Sequence, residues 1–302
     1  MKKKILFTIV MMLVVQIVSA YPISPRTLRK LITESELIVW ARVKEIKTLD
    51  SESWYDAIAI LEVKEVLQGS EHKSLIEVYF SPNTICPAPA HYEEGSQVLA
   101  FLDKRQRHYA YETHALSYGA KTLNEEDYQV YKQRIVEMQA IQKMDEGEAR
   151  NVLTLDWIVD CAVHPATRWE GTYELSAFSD FMSFYDEDTE TVLKQYELAE
   201  YHKEALEKAL FAIDTIGIDD MGIVDLVARE EPEEVLTFLQ EQLKAADLEK
   251  MWYSKSIMER IVELSGRDDL EKILLKFKQL SYLDEDFESK NLEISREFVE
   301  VL

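Results

Sequence analysis

Two hydrophobic periods divide this chain. From Leu37 onward Leu37, Val39, Ala41 and Val43 alternate with Ile38, Trp40, Arg42 and Lys44, the period of a strand with one apolar face and one mixed face. Ala59, Leu61 and Val63 opposite Ile58, Ile60, Glu62 and Lys64 repeat the pattern, and Gly69 supplies a turn. Ile76, Val78 and Phe80 form a third strand that Ser81-Pro82-Asn83 stops; Val98 to Leu102 and Tyr109 to Leu116 follow. Short strands in succession, with no helix long enough for a crossover, predict a small antiparallel sheet or barrel. The mixed face carrying Trp40 and Ile58 is a candidate contact surface unless a helix covers it.

At Asn124 the period changes to that of a helix. Asn124 is a good N-cap, and Glu125, Glu126 and Asp127 place negative charge at the positive helix end. Tyr128, Tyr131, Ile135 and Met138 form one stripe, so this helix is expected to pack back on the barrel. After Glu146-Gly147 the chain reads as helical throughout. A nearly all-round apolar helix containing Val152, Leu153, Leu155, Trp157, Ile158, Val159 and Ala162 ends before Pro165. Further helices are expected at about 191–213, 221–229, 232–246, 249–264, 268–280 and 287–301, with Pro232 in a first turn and Gly266 at a helix end. Short connections make them antiparallel neighbours, in an irregular HEAT-like stack of helical hairpins or a bundle.

The expectation is an α+β multidomain protein. Residues 1–20 read as a signal peptide, 21–146 as an OB-like antiparallel barrel with a packing helix, and 147–302 as an acidic all-α domain. The signal reading rests on Lys2, Lys3 and Lys4, an apolar run from Ile5 to Val18, and Val18-Ser19-Ala20 before Tyr21. It implies cleavage between Ala20 and Tyr21 and a soluble, secreted or periplasmic product with no membrane insertion. Hydrophobic residues are 47% and charged residues 30%, an ordinary globular mix. The net charge of -23 is uneven: residues 151–302 carry 15 Lys and Arg against 36 Asp and Glu. Such a field repels phosphate backbones and anionic lipid, which excludes nucleic acid as an expected partner and favours a protein partner.

The segments SELIVWARVKEI, AIAILEVKEVLQGSE, LIEVYF and CPAPAHYEEGSQVLAFLDK resemble the netrin-like module, the OB-type barrel shared with tissue inhibitors of metalloproteinases, over roughly residues 35–123. The resemblance implies a binding scaffold. In the metalloproteinase inhibitors of that family the mature N-terminal Cys meets the target's zinc; here Tyr21 takes that place and Pro22 follows, and Cys86 matches at most a later family cysteine.

Chemistry-bearing constellations are few. The two cysteines, Cys86 and Cys161, form a disulfide in an exported protein or stay as two buried thiols. Cys161 and His164 stand three apart at a helix end, followed by Arg168, Trp169, Glu170 and Tyr173 beside Pro165 and Gly171, an irregular segment suited to a binding loop or a domain junction. The candidate binding residues are therefore Trp40, His164, Arg168, Trp169, Glu170 and Tyr173. The six histidines show no metal-site spacing, and Asp186, Asp188 and Glu190 alternate like the start of a calcium loop but lack its glycine and distant glutamate. No catalytic residue, resident metal or cofactor is assigned, and weak calcium binding is the most the acidic loops imply. The reading that results is an exported, non-enzymatic binding protein; the alternative is an enzyme or protease inhibitor with its site around Cys161, His164 and Arg168.

Overall fold

The structure is a computed structural model that describes residues 24–49, 55–84, 88–105, 110–177, 179–186, 188–280 and 286–302. The expected signal peptide with its Ala20–Tyr21 cleavage site lies outside the described residues, as does Cys86 and with it the Cys86–Cys161 pairing. The chain divides into two compact units, one ending at Lys143 and the other running Met144–Leu302. The fold is α+β in two parts.

The first unit opens with α1 (Leu28–Glu34), continues through β1 (Leu37–Thr48), β2 (Ala57–Gln68), β3 (Leu75–Phe80), β4 (Gln97–Lys104), β5 (Tyr111–Thr113) and β6 (Ala120–Thr122), and ends in α2 (Glu125–Gln142). Hydrogen bonds run in the order β1-β2-β3-β5-β4, and β4 returns to β1, so five strands close an OB-like ring while β6 lies along β4. An odd ring cannot alternate direction all the way round. The antiparallel expectation therefore fails at one pair, β3 with β5, where Val78 faces Tyr111 and Tyr79 faces Glu112 in parallel.

The period-two positions fill the barrel: Leu37, Val39, Ala41 and Val43 meet Ala59, Leu61, Ile76, Val78, Ala100 and Leu102. The opposite face of β1 and β4 is buried too, at Ile38, Trp40, Leu99 and Phe101. α1 and α2 form the second layer that makes this so. The Trp40 ring stacks on Tyr128 of α2 with centroids 4.1 Å apart and planes 3° from parallel. Asn124 caps α2 by accepting the Asp127 amide at 2.8 Å. At the far end Gln142 Nε2 donates to Thr33 Oγ1 of α1 (2.7 Å), and Gln139 Nε2 donates to the Leu67 carbonyl of β2 (3.1 Å).

The second unit contains α3 (Glu148–Val163), α4 (Arg168–Glu174), a hairpin of β7 (Ser183–Asp186) and β8 (Thr191–Lys194), then α5 (Glu200–Phe211), α6 (Met221–Val227), α7 (Pro232–Ala245), α8 (Ser254–Ser265), α9 (Asp268–Leu274) and α10 (Phe287–Val301). Its closest helix contacts join α3 to α4, α5 to α6, α7 to α8 and α9 to α10, while α3 also packs on α5 and α4 on α6, so that half of the unit is not a simple neighbour-to-neighbour stack. The helical stripes end inside: Val235, Leu239 and Leu243 of α7 and Ile257, Met258 and Ile261 of α8 are buried.

The all-α expectation is corrected by the hairpin. Residues 191–194, expected to begin a helix, pair with 183–186, from Ser183 opposite Lys194 to Asp186 opposite Thr191. The turn decides it. Asp186 Oδ1 accepts the amides of Asp188 (2.9 Å) and Thr189 (3.3 Å), folding the chain back so that β-branched Thr191 and Val192 find a strand partner. A second correction concerns α3, whose early residues Val152 and Leu153 are exposed, so its apolar surface is covered over Leu155 to Ala162 and not all round.

Trp40→Ala is expected to destabilise the barrel unit by about 3–5 kcal/mol, the usual effect of emptying a buried aromatic site. Tyr128→Phe, which keeps the stack and removes only the phenol's bond to Glu65, is expected to lose about 1 kcal/mol. Urea unfolding followed by fluorescence and circular dichroism checks both.

Candidate functional site

The residues singled out in the 161–173 segment form the crossing of α3 and α4. Gly171 of α4 lies so close to α3 that a Cβ there would sit 2.1 Å from the Ala162 nitrogen, a contact no side chain tolerates. Arg168, 4% exposed, donates from Nε to the Ala162 carbonyl and from Nη2 to the Val163 carbonyl, both at 3.3 Å, and from Nη1 to Asp220. It thus neutralises the negative C-terminal end of α3 and ties it to the turn before α6. His164 Nδ1 accepts the Ala166 amide at 3.2 Å and caps the turn at Pro165–Thr167. Cys161 and Glu170 are buried, and Trp169 stacks on Tyr173 with centroids 5.6 Å apart. Trp40 belongs to the barrel unit and lies buried under α2. Asp186, Asp188 and Glu190 fall in the hairpin turn, and among the described residues no group of three His, Cys, Asp or Glu is placed to hold a metal ion.

A cavity of about 380 Å³ opens in the barrel unit, walled by Tyr55, Tyr79, Phe80 and Leu116, with Arg26, Asp103, Glu112 and His114 supplying the polar groups. His114 comes from the bend after β5, Asp103 from β4 and Glu34 from α1. The imidazole Nδ1 lies 2.7 Å from Asp103 Oδ2 and Nε2 lies 3.2 Å from Glu34 Oε2. Carboxylates only accept, so the ring satisfies both as an imidazolium. The hydrogen bond to Asp103, opposed by burial and aided by the charges of Asp103 and Glu34, raises the His114 pKa above its ordinary value. Glu34 also accepts from Arg26 Nε at 2.9 Å.

The backbone around this histidine is strained. Ala115 and Leu116 both have positive φ, 53° and 54°, a conformation that non-glycine residues avoid. Gly119 makes the bend feasible, because a Cβ there would meet the His114 carbonyl oxygen at 1.9 Å. On the opposite wall Tyr55 donates to Glu112, and burial with that carboxylate pushes the Tyr55 pKa up to about 12. The Arg105 guanidinium lies over both Tyr79 (4.0 Å) and Tyr55 (4.5 Å). With a carboxylate on each ring nitrogen His114 is favoured in its charged form, so this cavity is built to hold charge in place.

The second unit holds a larger groove, about 600 Å³. Leu175, Met182, Val192, Leu206, Leu226 and Val227 supply its apolar surface. Glu197, Glu200, Glu204 and Glu207 line one side, at spacings of three and four that keep α5 residues on one helix face, and Glu230 and Glu231 line the other. Lys203 Nζ reaches Glu230 Oε2 at 3.1 Å and Glu200 Oε2 at 4.0 Å. Crowding by Glu234, then burial, then the charge of Glu207 raise the Glu231 pKa. β7 and β8 border the groove, and their opposed pairs stay open to solvent: Tyr185 is 60% and Val192 61% exposed on one face, Phe184 49% and Leu193 39% on the other.

Neither cavity was foreseen from the sequence. His114 and Glu34 are 80 positions apart, and the groove depends on the hairpin that the helical reading of 191–213 concealed. No protein-family model matches the chain, and no curated protein matches it. Among the described residues no helix is long and apolar enough to cross a membrane.

Arg168→Met is expected to lower the stability of the helical unit by about 3 kcal/mol, because Asp220 and the end of α3 lose their buried cation, readable by urea unfolding. For His114 the sign follows from its raised pKa. Its stabilising contribution is full below the unfolded value near 6.5 and vanishes as pH rises through the folded value. His114→Gln is therefore expected to destabilise most near pH 6 and progressively less toward alkaline pH, measured as the difference in urea midpoint against pH.

Proposed function

We propose that this chain is an exported, non-enzymatic protein-binding protein, with a netrin-like OB-type barrel as scaffold and an acidic, HEAT-like helical unit as the docking surface. The strand order of the barrel and the hairpin pairing of α7 with α8 and of α9 with α10 support that description. One observation carries the binding reading. The β7–β8 hairpin exposes an apolar cross-strand pair on each of its two faces, Tyr185 with Val192 and Phe184 with Leu193, beside a groove with an apolar floor. An isolated two-stranded hairpin is marginal in water, and clustered exposed apolar side chains mark interaction sites. A partner that covers the hairpin removes both liabilities.

A photo-cross-linking amino acid at position 185 or 192, in the full chain expressed in its native host, is expected to give discrete protein adducts in the extracytoplasmic fraction. Stable accumulation of the variants in that fraction with no adduct at either position would remove the reading.

A further inference from the structure

The groove in the helical unit has a chemical preference of its own. Its apolar floor is Leu175, Met182, Leu206, Leu226 and Val227, and its two sides carry six glutamates against Lys194, Lys203 and Arg229. The acidic excess is arranged, not scattered. Glu200, Glu204 and Glu207 repeat along one face of α5, where like charges repel, and Glu230 and Glu231 follow the C-terminal end of α6, which is itself negative. Lys203 and the positive N-terminal ends of α5 and α7, where Glu200 and Glu231 stand, offset part of this charge, and the six carboxylates still outnumber the groove's three cations. Glu234, then burial, then Glu207 raise the Glu231 pKa, so the groove's own glutamates contribute only part of that shift. Lys203, the groove's own bridging cation, shows where incoming positive charge is accommodated, since its ammonium reaches Glu230 on one side and Glu200 on the other.

We propose that this groove docks a cationic amphipathic segment of a protein partner, with its apolar side chains on the floor and on Val192, and its Lys or Arg side chains reaching the glutamates. The inference rests on the protein-binding reading and adds the chemistry of the bound segment. A volume of about 600 Å³ fits several side chains and exceeds what a single small cation fills. Charge complementarity of this kind acts chiefly on association rate and on discrimination between partners, while the floor supplies the apolar burial.

Two short labelled peptides test it with the full chain, both with Leu and Phe at helical i, i+3 and i+4 spacing, one with Lys and one with Glu at the remaining positions. Fluorescence anisotropy is expected to show binding of the Lys peptide only, weakening by about tenfold between roughly 0.05 M and 0.3 M NaCl. The double substitution Glu204→Gln with Glu207→Gln is expected to weaken it about fivefold or more, and Lys203→Gln to tighten it. Val192→Thr, which keeps the β-branched shape at this exposed position and replaces a methyl with a hydroxyl, is expected to weaken it as well. Glu271→Gln with Glu288→Gln makes the same change of net charge away from the groove, and is expected to leave binding unchanged. Equal binding of the Glu peptide, or equal effects of the two double substitutions, overturns the proposal. Absence of Lys-peptide binding while adducts still form at position 185 overturns the cationic chemistry and leaves the protein-binding reading standing; absence of both removes that reading too.

Discussion

The barrel depends on one strand serving two neighbours. β1 pairs with β2 along its length and with β4 from Leu37 to Arg42, and it is this double pairing that closes five strands into a ring. Register shifts at Ile38/Val39, Trp40/Ala41 and Val43/Glu45 bend β1 enough to reach both partners. Closure consumes the free edges of the ring and fixes which residues point inward, so the inner core, the parallel β3–β5 contact and the position of His114 all follow from it. The outer face of β1 then needs a cover of its own, which α1 and α2 provide through the Trp40–Tyr128 stack.

In the helical unit the comparable constraint is the α3–α4 crossing. The absence of a side chain at Gly171 lets two backbones approach to contact distance, and Arg168 then bonds the carbonyls left open at the end of α3. That is the physical reason for the Gly and the Arg in this short segment. Within this segment the Arg168 guanidinium is turned toward the end of α3 and toward Asp220, and His164 toward the Ala166 amide.

The charge of the protein acquires meaning only through its placement. The surplus of acidic residues in the second half is expected from counting, and counting does not say where on the surface it gathers. In the groove it is concentrated on two facing walls above an apolar floor, next to a hairpin with uncovered side chains. The combination of apolar floor and acidic walls is what separates a docking surface from a merely solvated one. In the barrel cavity opposite charges are instead neutralised pairwise, through Arg26, Glu34, His114 and Asp103, which makes it a rigid polar corner.

By itself the sequence determined whatever depends on local pattern. The inward positions Leu37, Val39, Ala41 and Val43, the α2 stripe with its Asn124 cap, and the helices beginning at Met221, Pro232, Asp268 and Phe287 were legible because period, caps and turn residues act over a few neighbours. Tertiary structure decided the rest. Residues 191–194 became a strand because a capped turn delivered a partner strand, and one ring pair became parallel because five strands closed. His114 met Glu34 and Asp103 because the bend after β5 lies against α1 and β4. Each of these outcomes requires groups that are far apart along the chain to meet in space, and a linear pattern of hydrophobicity carries no information about such meetings.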